Sequence, residues 1–167
     1  MSRTIDGGGV MASWKIRPIS LSDVECVFNI ETDSFPTPWE EDIFFHLALS
    51  GGIYRIDDTT TVIMDVMGEK GLVNGYIVWE ESREESLGHI LNLAIRKEFR
   101  QKGRGTRLLE HALTKMRGAG METCELEVRE SNHWARHLYE CAGMIAVDRR
   151  VGYYDPEDAI IYTLSFT

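Results

Sequence analysis

Arg100-Gln101-Lys102-Gly103-Arg104-Gly105 is a basic hexapeptide punctuated by two glycines, lodged between the apolar run Ile90–Ile95 and a helical pattern that starts at Thr106. A strand that ends in a tight glycine turn and feeds a helix offers unpaired backbone N–H groups, and the positive end of the helix dipole, to any anion that sits there. The spacing is not the GxxxxGKS/T of a P-loop, nor the GxGxxG of a dinucleotide fold. It points instead to a pyrophosphate-bearing cofactor of another kind. Charge is concentrated in the same place: residues 87–120 hold eight Lys and Arg against two Glu, while the other 133 residues hold ten basic against twenty-five acidic side chains. Basic residues at a helix start also form plain solvated faces, and the turn alone leaves both readings open.

Further candidates are side chains. In Thr123–Val128, Cys124, Leu126 and Val128 alternate with Glu125 and Glu127, so two carboxylates share the polar side of one strand. Either is a candidate base or a solvated strand residue. Tyr139 falls within a short helix about Trp134–Cys141, capped by Ser131 or Asn132 and closed by Gly143, where periodicity alone makes it a packed aromatic. His133 and His137 have the four-residue spacing of metal ligands, but no HExxH glutamate lies between them, no third ligand is evident, and His111 stands apart. No metal is expected. Cys26, Cys124 and Cys141 form no CxxC pair and are odd in number, which fits buried thiols rather than a disulfide framework.

Positioning these groups requires a sheet with helices. Trp14–Arg17 reads as a strand, and Ser20 or Ser22 can cap a helix through Val24–Ile30, broken by Phe35-Pro36-Thr37-Pro38-Trp39. A second helix begins near Glu40. Strands follow at Thr59–Met67 and Asn74–Trp79 as an antiparallel pair, then a central strand Gly88–Ile95, a helix Thr106–Arg117, the strand Thr123–Val128, the helix carrying Tyr139, and strands Ile145–Val151 and Ala159–Phe166 around a loop 152–158. This order makes a mixed α/β fold: a mostly antiparallel sheet of about seven strands flanked by four helices.

At 167 residues, 43% hydrophobic and 27% charged, the chain suits one globular domain, taken as 13–167 after a flexible leader 1–12. Net charge of -9 argues against nucleic-acid coating. No apolar window of membrane-spanning length and no secretory signal is present, so the expected location is cytoplasmic.

Four segments carry a resemblance: Asn92-Leu93-Ala94-Ile95, then Arg100–Gly105, then Leu126-Glu127-Val128-Arg129-Glu130-Ser131-Asn132, and Leu138-Tyr139-Glu140 before Ala142-Gly143-Met144. Together they resemble the GCN5-related N-acetyltransferase (GNAT) superfamily, and its branch that acetylates protein N-termini, ribosomal-protein alanine acetyltransferases included. The resemblance implies an acyl-CoA N-acyltransferase fold splayed between the fourth and fifth strands, with acetyl-CoA as cofactor. It implies that Leu93, Ala94 and Ile95 line the pantetheine arm, and that Arg100, Gln101, Lys102, Gly103, Arg104, Gly105 and Thr106 hold the pyrophosphate. Asn132 and Tyr139 complete the cofactor contacts. It assigns Glu127 as general base and Tyr139 as the acid for the leaving thiolate. Phe35, Pro36, Thr37, Pro38 and Trp39, with Tyr153 and Tyr154, would then frame the acceptor, implied to be a protein or peptide N-terminus such as that of a ribosomal protein. The implied assembly is a monomer or weak homodimer. A small-molecule amine as acceptor, or a non-catalytic acetyl-CoA-binding subunit, are the alternatives.

Overall fold

Asp23 organises the start of the fold. Its carboxylate accepts from both terminal nitrogens of Arg17 (2.6 and 2.9 Å), from the Ser20 amide and hydroxyl (2.8 Å each) and from the Gly71 amide (2.9 Å). Burial opposes its ionisation, but these donors outweigh burial and hold its pKa at about 2. Ser20 and Asp23 form a capping box that starts the 3-10 turn Leu21–Asp23. Of the two expected serines Ser20 is the cap, but of this turn, which runs into the helix at Val24 with Asp23 at the helix's own N-cap position.

The computed structural model describes residues 15–167; the expected leader 1–12 and Trp14 lie outside the described residues. Its elements are β1 (Ile16–Pro18), α1 (Val24–Ser34), α2 (Glu41–Leu49), β2 (Ile53–Arg55), β3 (Thr60–Glu69), β4 (Leu72–Ser82), β5 (Leu87–Ile95), α3 (Arg104–Gly118), β6 (Thr123–Arg129), α4 (His133–Cys141), β7 (Ile145–Tyr154) and β8 (Glu157–Ser165). The sheet runs β1-β3-β4-β5-β6-β8-β7, with β2 paired to the free stretch of β3. Every pairing is antiparallel except β5 with β6. This is the mixed, mostly antiparallel architecture expected.

Two cores lie on opposite faces of the sheet. Leu108, Leu109, Ala112 and Met116 recur at helical spacing on α3 and pack with Leu138 and Tyr139 of α4 against Leu126 and Val128 of β6. Val24, Val27 and Ile30 of α1 and Phe44 and Leu47 of α2 pack against the other face, on Val66, Tyr76 and Val78. Burial of each large apolar side chain contributes about 1.5–3 kcal/mol.

β5 contains the irregularity that matters. Opposite Val78 and Trp79 of β4 its register jumps from Asn92 to Ile90, leaving Leu91 as an unpaired extra residue. Such a bulge bends its strand and resets the alternation. Ile90, Leu93 and Ile95 therefore share the α3/α4 core, while Ala94 joins the α1/α2 core. Pairing of β5 with β6 runs from Leu87 opposite Thr123 to Ile90 opposite Leu126 and stops there, so the strands part at the bulge. The implied splay is present: β5 and β6 are the fourth and fifth of the strands expected from sequence, which do not include β2.

Several boundaries differ from expectation, β4 among them, which runs past Asn74–Trp79 at both ends to Leu72 and Ser82. β2 follows Gly51-Gly52 and is only three residues long with all three exposed, too short for alternation to mark it. β7 and β8 extend into the expected loop 152–158 until Tyr154 opposes Glu157. Their register shifts between Arg150 and Tyr154, and Asp158 holds the Gly152 amide (2.8 Å), so the ladder continues without a regular period. α3 begins at Arg104 rather than Thr106. Among the described residues, no helix is long and apolar enough to cross a membrane.

Candidate active site

Where β5 and β6 part, a cleft of about 580 Å³ opens between the two faces of the sheet. Its walls include Leu93 of β5, Glu127 of β6, Asn132 and Tyr139 at α4, Phe35, Thr37, Pro38 and Trp39 from the α1–α2 loop, and Tyr153 and Tyr154 from β7. A smaller hollow of about 190 Å³ lies at the start of α3, walled by Ile95, Arg100, Gln101, Gly103, Gly105 and Thr106. Trp134 lines both.

Glu127 and Tyr139 approach the cleft from opposite sides of the sheet. Leu126 and Val128 point into the α3/α4 core, so strand alternation sends Glu127 to the α1/α2 side, whereas Tyr139 belongs to the α3/α4 core. Glu127 Oε2 lies 2.6 Å from His89 Nε2, and Arg150 donates to Oε1 at 3.3 Å. The His89 hydrogen bond, against the effect of burial and with help from Arg150, holds the Glu127 carboxyl below its ordinary range. The same bond raises the His89 pKa against burial. Glu125, of the same parity, carries no such partner among the described residues.

Burial pushes the Tyr139 hydroxyl well above the ordinary phenol range, so it stays protonated. Its ring sits 6.0 Å from that of Tyr162, and the hydroxyl has no hydrogen-bond partner among the described residues. Asn132 caps α4, accepting from the Ala135 amide at 3.2 Å. Tyr154 donates to the Glu127 carbonyl at 3.3 Å, lies edge-on to Tyr153 (4.9 Å) and beneath the Arg129 guanidinium (4.4 Å). Burial first, then Tyr153 and Glu127, push its pKa up to about 12.

The turn before α3 has the backbone an anion cradle needs. Gln101 and Gly103 are both left-handed (φ 58° and 79°), a conformation a side chain resists at Gly103. Among the described residues, the amides of Gln101, Lys102, Gly103, Gly105 and Thr106 donate to no backbone carbonyl. Gly105 serves a different purpose from its neighbour. A Cβ there would stand 3.1 Å from Trp134 Cη2, so the missing side chain lets the indole rest against α3. These donors fit a pyrophosphate.

Several expected site residues have side-chain partners of their own. Arg100 donates to the Ile95 carbonyl (2.9 Å) and to Ser34 (3.0 Å), tying β5 to the end of α1. Arg104 is buried with its guanidinium 4.8 Å from the Phe99 ring centroid, and Lys102 donates to the Glu98 carbonyl at 3.2 Å. Ala94 packs in the α1/α2 core, and Pro36 is outside the cleft lining. His111 is engaged by Asp65 at 2.6 Å, and His137 lies 3.5 Å from Cys141.

His89, Glu31, Trp134 and Arg150 were not among the residues expected from sequence. His89 stands opposite Glu125 in a parallel ladder, so its proximity to Glu127 follows only once β5 and β6 are known to be neighbours.

The pattern of the acetyltransferase (GNAT) family matches residues 24–144. The ribosomal protein bS18-alanine N-acetyltransferase of Salmonella typhimurium is 31% identical over 150 residues, covering 87% of this chain and 93% of that protein. An N-alpha-acetyltransferase of Sulfolobus acidocaldarius is 29% identical over 158 residues, covering 89% and 90%. Among solved structures, Ard1 from Thermoplasma volcanium superposes with a TM-score of 0.77 at 24% identity, covering 93% of this chain and 99% of that one. The ribosomal-protein-alanine N-acetyltransferase of Escherichia coli superposes at 0.74, also at 24% identity, covering 92% and 94%. With the splayed sheet, the glycine turn and a family pattern spanning most of its length, the chain belongs to the GNAT family of acetyltransferases.

Proposed function

We propose that the protein transfers an acetyl group from acetyl-CoA directly to the N-terminal α-amine of a protein or peptide. The observation that carries this reading is the meeting of Glu127 and Tyr139 in one cleft through the gap between β5 and β6. Acetyl-CoA supplies the activated acyl group as a thioester. The amides of Gln101, Lys102, Gly103, Gly105 and Thr106 hold its pyrophosphate, with Arg100 and Lys102 adding positive charge nearby, and the β5 backbone at Leu93–Ile95 and Asn132 hold its arm.

An α-amine has a reference pKa near 8, so a substantial minority is neutral at physiological pH. Glu127 then has one task, to accept the proton released as nitrogen bonds to the acyl carbon. A nitrogen in that state is far more acidic than a free ammonium, and a carboxylate held low by His89 suffices. Tyr139 keeps its proton until negative charge develops on the departing sulfur, and then donates it. The walls Phe35–Trp39 and Tyr153–Tyr154 form a slot of rigid aromatic surface that suits an extended chain end. Similarity to relatives described as acting on ribosomal protein bS18 and on N-terminal α-amines supports the same acceptor class.

The deciding experiment compares free peptides beginning Ala, Ser, Thr or Met with N-terminally blocked peptides bearing a free lysine, and with spermidine. Free α-amines should react fastest. Equal rates for the blocked lysine peptide would overturn the reading, and a spermidine rate above every peptide rate would favour a small amine.

A further inference from the structure

Glu31 is 1% exposed, yet it lines the cleft and is a carboxylate without a cationic partner among the described residues. Burying a charge is costly unless it is well hydrogen-bonded. Three neutral donors converge on it from three elements. The Trp39 amide of the α1–α2 loop donates to Oε1 at 2.9 Å, and the Asn92 side-chain amide of β5 donates to Oε2 at 2.8 Å. The Tyr76 hydroxyl of β4 also donates to Oε2. Asn92 lies immediately after the Leu91 bulge, so one side chain ties the acceptor-side loop to the strand that opens the sheet.

We propose that Glu31 is a positioning residue for the acceptor, fixing the Phe35–Trp39 wall relative to the splay; this rests on the acceptor reading above. Only a group with two acceptor oxygens and no hydrogen can take all three donors. Glutamine has the same shape but turns an NH2 toward a donor, so at least one tie breaks. Glu31 belongs to α1 and its partners avoid the α3 turn, so the break reaches the acceptor wall and leaves the pyrophosphate cradle intact.

The test measures acceptor KM, kcat and acetyl-CoA Kd for Glu31→Gln, Glu31→Asp and Tyr76→Phe, with hydrogen exchange at the Trp39 amide. Glu31→Gln should raise acceptor KM tenfold or more, leave acetyl-CoA Kd within twofold, and speed Trp39 exchange at least tenfold. Glu31→Asp, which keeps both oxygens, should recover part of the KM. Tyr76→Phe removes one donor while keeping the ring packed 5.7 Å from Phe44, and should shift KM the same way by less. An acceptor KM within twofold of the parent, or a parallel loss of acetyl-CoA affinity, overturns the proposal. If the parent acetylates no peptide, the acceptor reading fails by itself; Trp39 exchange then decides, and an unchanged rate in Glu31→Gln overturns the positioning role. Should Glu31→Gln not fold, Tyr76→Phe with unchanged KM does the same.

Discussion

Glu127→Gln keeps the shape of the side chain and removes its charge, which separates two energies of different size. The His89–Glu127 pair has side-chain exposures of 30% and 12%, so solvent screens it and its loss should cost about 1 kcal/mol of stability. Against a typical domain stability of about 5–15 kcal/mol the variant stays folded at 25 °C. Loss of a general base lowers rate by roughly 10²–10⁴-fold, equivalent to about 3–5 kcal/mol of barrier. A rate loss of that size cannot come from unfolding. Steady-state kcat/KM should be measured with an alanine-terminated peptide at about pH 8.5, where most of the α-amine is neutral and its ionisation drops out of the comparison. An NMR titration of the His89 ring gives the second readout. Its pKa is raised by the Glu127 bond against burial, so in the variant the midpoint should fall. The raised His89 pKa means that the pair's contribution is present below the unfolded histidine value and lost as pH rises through the folded one. The lowered Glu127 pKa means that it is also lost as pH falls below the carboxylate range. The Tm difference between parent and variant should therefore peak near pH 6 and shrink on either side. A kcat/KM within tenfold of the parent, with the His89 midpoint displaced as expected, would refute Glu127 as base.

Tyr139→Phe should lower kcat by roughly 10²-fold or more with acetyl-CoA affinity unchanged, because the ring keeps its place beside Tyr162 and the hydroxyl gives up no internal hydrogen bond; equal kcat would remove Tyr139 from the chemistry. Gly103→Glu should abolish most acetyl-CoA binding in calorimetry, while Gly103→Ala, which carries only the left-handed strain of about 1–2 kcal/mol, should bind far better. If both variants bind alike, the pyrophosphate sits elsewhere. Asp23→Asn should destabilise the fold by about 2 kcal/mol at neutral pH, since a pKa of about 2 stores that much relative to an ordinary aspartate. The depressed pKa makes this contribution present above about pH 4 and lost as pH falls toward 2, so acid unfolding curves of parent and variant should converge there.

Much of this arrangement is legible in local sequence. Alternation placed Cys124, Leu126 and Val128 on one face of β6, and the Ser20, Asn132 and Gly143 signals bounded their helices, because caps and periodicity are decided within a few residues. What escaped is what depends on pairing. His89 becomes Glu127's partner only through the parallel β5–β6 ladder, and Glu31 reads as a helix-end acid until Tyr76 and Asn92 are brought to it across the sheet. Arg100 and Arg104 carried the right charge for a phosphate site, but Ser34, Ile95 and Phe99 compete for them. Charge alone does not reveal such competition.

Leu91 packs against the α1/α2 core, but in β5 it acts first by being counted. Removing it would leave Ile90, Leu93 and Ile95 on one face and Asn92 and Ala94 on the other, since the bulge is a surplus of one residue in an otherwise regular alternation. It would also remove the bend, and Asn92 would follow Ile90 straight into register beside Glu127. Every side chain would survive on its proper side while the opening between the strands closed. Substitution at each position in turn, which alters residue type and preserves length, would pass over this determinant; single-residue deletion is the perturbation to which it responds.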